Sequence, residues 1–132
     1  MSSLGFLSTG AATGVVELRG DVAAFQTERI ARLTPRRAVA LTDDAPALVA
    51  RARASGLRAY DLTAGHTEIR IEGDVLLRRL TEVVIDAPTV APVARGVPAL
   101  IFPCDGAYDL YVPQELGDYV RDVVRDLEAG LE

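Results

Sequence analysis

A chain of 132 residues, 49% of them hydrophobic, is large enough to bury a core without cross-links, and its single cysteine, Cys104, excludes an internal disulfide. A net charge of −5 argues against a general nucleic-acid binder, and all fourteen basic residues are arginine, which excludes a Schiff-base lysine and a phosphate-loop lysine. No apolar run approaches the roughly 18 residues of a membrane helix. The opening Met1-Ser2-Ser3-Leu4-Gly5-Phe6 lacks the basic start of a secretory signal, so a soluble cytoplasmic protein is expected.

Residues 1–12, rich in Ser, Thr, Gly and Ala, read as a loosely held arm. Val15–Arg19 reads as a strand stopped by Gly20, and Asp21 as the cap of a helix presenting Val22, Phe25, Ile30 and Leu33. Arg37–Thr42 is a second strand. Asp43-Asp44 before Pro46 starts a helix that Ser55-Gly56 ends. Leu57–Leu62 and Thr67–Glu72 are further strands, with Ile69 and Ile71 on one face. Asp74 is placed to cap a helix from Val75 to about Val83. The run Val16–Ala24 parallels Glu68–Leu77 as strand, Gly-Asp, helix, a short sign of internal repetition. Three prolines between Asp86 and Pro98 predict an extended loop. Ala99–Phe102 and Tyr108–Val112 predict a hairpin turning near Asp105-Gly106. Leu116, Tyr119, Val120, Val123, Val124 and Leu127 form one stripe of a final helix.

Strands interleaved with helices predict one α+β domain over 1–132, with a mixed or antiparallel sheet, helices on one face and ferredoxin-like split βαβ units. No catalytic motif stands out. His66 would need an orienting acid to act as a base, supplied by Asp61 or Glu68, and otherwise reads as a solvated turn histidine. Cys104 has no basic neighbour in sequence, and one His with one Cys gives no zinc-ligand spacing. Asp105, Tyr108 and Tyr111 gather at the hairpin and could line a small-molecule pocket, although Asp105 also suits the turn itself. Arg36-Arg37 and Arg78-Arg79 could grip an anion, or be solvated edges.

The stretches Gly56-Leu57-Arg58-Ala59-Tyr60-Asp61-Leu62-Thr63 and Thr67 to Leu80 resemble the folate-binding aminomethyltransferase family, whose core the gamma subunit of heterotetrameric sarcosine oxidase shares. Val97–Phe102 and Tyr108–Val120 are similar to that family's closing hairpin and helix, so the resemblance spans about residues 56–130. The aminomethyltransferases are longer and carry an Asp-Asp pair between the hairpin strands, where this chain offers Cys104-Asp105-Gly106. The resemblance therefore implies an accessory subunit supporting larger flavoprotein subunits of an amine oxidase or dehydrogenase. It implies no catalytic residue here and no cofactor bound by this chain alone. A stand-alone folate-dependent one-carbon enzyme, with tetrahydrofolate as ligand, and a homo-oligomeric domain remain as alternatives. His66, Cys104, Asp105, Tyr108 and Tyr111 are the candidate ligand or interface residues.

Overall fold

A computed structural model describes residues 6–7 and 13–130; the arm expected over 1–12 lies outside them except for β1 (Phe6–Leu7). The backbone is α+β with antiparallel strands, but these strands divide between two sheets. The described residues group into two compact units, one within residues 11–65 and the other within residues 66–132 together with β1.

In residues 11–65, β2 (Gly14–Arg19) ends at Gly20, whose φ of 124° only glycine adopts cheaply. β3 (Arg29–Thr34), β4 (Arg37–Thr42), α1 (Ala45–Ala54) and β5 (Arg58–Asp61) follow. The sheet order β3-β4-β2-β5 interleaves two split crossovers, as the ferredoxin-like pattern requires. Asp44 caps α1 by accepting the Ala47 N–H at 3.1 Å, with Pro46 in the first turn. One face of the sheet, carrying Val16, Leu18, Ala38, Ala40 and Ala59, packs with Leu48 and Ala52 of α1.

The helix expected after Asp21 does not form. A 3-10 turn at Val22–Ala24 leads to β3, which pairs with β4 from Arg29↔Leu41 to Thr34↔Arg37. Val22, Phe25, Ile30 and Leu33 fit a helical face, yet strand pairing overrides local periodicity. Arg32 fastens the connection by donating to the Phe25 carbonyl at 2.6 Å.

In the second unit β6 (His66–Glu72) precedes α2 (Asp74–Leu80), β7 (Thr89–Val93), β8 (Val97–Cys104), β9 (Ala107–Pro113) and α3 (Gly117–Gly130). The sheet order is β1-β6-β9-β8-β7. Asp105 and Gly106, at φ 50° and 83°, make the two-residue hairpin turn expected of Asp-Gly. Ile69, Ile71, Ile101, Leu110 and Val112 form a core with Leu76, Leu77 and Leu80 of α2 and with Val120 and Val124 of α3. Both helices thus cover one face.

The loop expected over 86–98 contains β7 instead. Its prolines are tolerated because β7 is the sheet edge and Pro92 faces Pro98 across the ladder. Pro98 also lies beyond the paired end of β9, which stops at Leu100↔Tyr111, so neither ring removes a needed donor. At the start of α3, a Cβ on Gly117 would lie 2.5 Å from Thr67 Oγ1 and 2.8 Å from its Cβ. Gly117→Ala is therefore expected to destabilise the protein by about 1–3 kcal/mol through overpacking. Denaturant melts check this, and Thr67→Ala in the same chain should restore only part of the loss, because alanine keeps the Cβ that lies 2.8 Å away.

Candidate functional site

Tyr108 lies on the helix-facing side of β9 and packs against the core while its hydroxyl donates to Asp74 Oδ1 at 2.6 Å. Asp74 does not cap α2 as expected. The cap position is Gly73, which makes no side-chain cap, and Asp74 is the first helical residue with its carboxylate committed to Tyr108. The helix also stops at Leu80, because Thr81 turns extended and its hydroxyl accepts the Val83 N–H at 3.3 Å. Beside the Tyr108–Asp74 pair is a hollow of about 380 Å³ walled by Leu77, Arg78, Thr81 and the Val83–Ile85 segment. Val84 stands 85% exposed at its rim. The hydrogen bond to Asp74 holds the Tyr108 phenol above its ordinary pKa, burial adding to the effect and Arg78 opposing it. Its contribution to stability is therefore complete below about pH 10 and lost as pH rises through the folded value. In a double-mutant cycle Tyr108→Phe and Asp74→Ala should couple by about 0.5–1.5 kcal/mol. Additive losses in denaturant melts would contradict this pairing.

The hairpin residues do not form one pocket. Tyr108 and Tyr111 differ by an odd number of residues on one strand, so they point to opposite faces. Tyr111 is buried, meets Phe102 edge-on at 6.1 Å and donates to Glu68 Oε2 at 3.3 Å. Asp105 serves the turn and is not part of the hollow. Cys104 ends β8 opposite Ala107, partly exposed. The basic neighbour it lacks in sequence is supplied by the fold, for Arg70 comes close enough that the two groups interact electrostatically. Arg70 also donates to the buried Asp109 at 2.9 Å. His66 opens β6 opposite Pro113, partly buried. Asp61 directs its carboxylate to Thr63, accepting the hydroxyl at 2.6 Å and the N–H at 3.0 Å, which holds its pKa below the ordinary value.

The arginine pairs separate as well. Arg78 borders the hollow beside Tyr108, and Arg79 borders a second one, of about 470 Å³, with Arg95, Tyr119 and Asp126. Ala94 and Arg95 there hold left-handed φ values of 47° and 70°, a strained turn steadied by Tyr119 donating to the Ala94 carbonyl at 3.3 Å. In the first unit Arg37 and Arg19 both donate to the buried Glu17 carboxylate, the latter at 3.1 Å. Burial would raise the Glu17 pKa, but these two arginines more than offset it and hold the group below its ordinary value. Among the described residues no group of three His, Cys, Asp or Glu side chains is disposed to hold a metal, and no helix is long and apolar enough to cross a membrane.

Glu17, Arg70 and Asp109 went unnoticed in the sequence. Strand alternation identifies their faces, but nothing local reveals that Arg70 meets a residue 39 positions away.

No protein-family model and no curated protein matches the chain in sequence. Among solved structures it superposes on a chain of heterotetrameric sarcosine oxidase from Corynebacterium sp. U-96, determined in complex with pyrrole 2-carboxylate, with a TM-score of 0.76 and 12% identity. The superposition covers 95% of this chain and 83% of that one. The fold is that of a sarcosine oxidase chain. The likeness extends well beyond residues 56–130, where the sequence resemblance is clearest, and at this identity it establishes the architecture alone.

Proposed function

We propose that this chain is an accessory subunit of a flavin-dependent amine oxidase or dehydrogenase of the sarcosine oxidase type, docked on larger flavoprotein subunits in the cytoplasm. The observation that carries this reading is the fold shared, over 95% of the chain, with a component of a heterotetrameric enzyme. Two further features support it. The polar groups most suggestive of chemistry are engaged in holding the fold: Tyr108 with Asp74, Tyr111 with Glu68, Arg70 with Asp109. The second unit also exposes Val75, Val83, Val84 and Val90, apolar surface of the kind subunit contacts cover.

In this reading the flavin belongs to the larger subunits, and this chain binds no tetrahydrofolate on its own. Saturable tetrahydrofolate binding by the isolated chain would favour a folate-dependent enzyme instead. The direct experiment replaces His66 and Cys104 singly with Ala and measures turnover of the assembled complex. Rates should stay within a few-fold of the parent. A loss of about a hundredfold or more with assembly intact, the scale of a missing general base, would assign chemistry to this chain and overturn the proposal.

A further inference from the structure

The register of the sheet in residues 11–65 sets Arg19 of β2 directly opposite Arg37 of β4 on one side and Arg58 of β5 on the other. Directly paired residues on neighbouring strands share a face, so three guanidinium groups stand side by side across three strands. Like charges in such a row destabilise a sheet. One carboxylate answers them: Glu17, two residues before Arg19 on the same face, accepts from Arg19 and Arg37. Arg58 has no ion pair among the described residues, and all three arginines are exposed. The surrounding unit is cationic too, holding eight of the fourteen arginines but six of the nineteen acidic residues of a chain whose net charge is −5.

We propose that this arginine row is a binding site for a small, multiply charged oxyanion, phosphate or carboxylate. Glu17 is the positioning residue. It is 7% exposed and engages one Nη of Arg19 and the Nε of Arg37, which fixes both side chains while leaving each about half exposed and with further N–H groups to donate. Planar forks held in this way match the paired oxygens of a phosphate or carboxylate, and Arg58 adds a third charge with no competing partner. Tyr60, across the ladder from Glu17 and on the same face, stands exposed beside the row with its phenol available as a further donor. An anion seated here relieves the repulsion that the fold tolerates when empty. The site is independent of the subunit reading, since every residue in it belongs to this chain.

The test uses the full chain and two probes, inorganic pyrophosphate and citrate, each titrated at constant ionic strength while the melting temperature is followed. Saturable stabilisation by at least one probe is expected; pyrophosphate alone marks a phosphate ligand, and citrate alone a polycarboxylate. Arg19→Gln with Arg58→Gln should weaken binding at least tenfold, while Arg125→Gln should leave it unchanged. If the double variant fails to fold, Arg58→Gln alone carries the test. It should bind about tenfold more weakly, the scale of one charge-assisted hydrogen bond, and without anion it should melt no lower than the parent. No saturable effect with either probe, or an equal effect in Arg58→Gln, would overturn the proposal.

Discussion

Replacing Arg70 with leucine is expected to lower the stability of the protein by about 3–5 kcal/mol. The Asp109 carboxylate is 3% exposed, and Arg70 is the cation that meets it at 2.9 Å. Burial alone would weaken the charged form of Arg70, but Asp109 first, with Cys104, more than offsets this and raises its pKa, so the guanidinium is held firmly charged. Removing it takes a positive charge and a hydrogen-bond donor away from a carboxylate in a poorly solvated place. The double variant Arg70→Leu with Asp109→Leu removes both charges and should recover much of the loss, because an apolar pair of similar volume often replaces a buried ion pair without penalty. Urea titrations of the three variants check this. A single-variant loss below about 1 kcal/mol would show that the pair behaves as a surface salt bridge.

Phe102→Ala should cost a comparable amount, about 3–5 kcal/mol. Its ring is 1% exposed and ranks among the largest fully buried side chains. Truncation opens a cavity and removes the edge-to-face partner of Tyr111, itself worth about 0.5–1.5 kcal/mol. Phe102→Leu refills most of the volume and should lose markedly less. Equal losses for Ala and Leu in thermal and denaturant melts would mean that aromatic geometry, rather than volume, dominates at this position.

Elements with local signals were legible in the sequence. The Asp44 cap and Pro46 mark α1, Asp105-Gly106 marks the β8–β9 turn, and the valine stripe marks α3, since each depends on residues within one or two turns of each other. β3 and β7 were not legible, because what makes them strands is a partner elsewhere: β4 for the first, and for the second the proline-matched edge of β8. The same limit hid the site geometry. Asp74 has the sequence position of a helix cap, but Tyr108, 34 positions away, takes its carboxylate. The parity that sends Tyr108 and Tyr111 to opposite faces, by contrast, is written in the strand itself. The short Gly-Asp parallel between Val16–Ala24 and Glu68–Leu77 marks corresponding places, the first strand after each unit's opening and a glycine at positive φ, although only the second continues into an α-helix.

The proposed role places this chain inside a larger flavoprotein assembly. Its most direct test is purification of the tagged chain from its native source under gentle conditions, followed by sizing with flavin absorbance and amine-oxidising activity recorded on the same fractions. The chain should elute at a mass well above that of a single 14.1 kDa chain, together with flavin-bearing subunits in fixed proportion. Elution as a flavin-free monomer, with the oxidase activity elsewhere on the column, would contradict it.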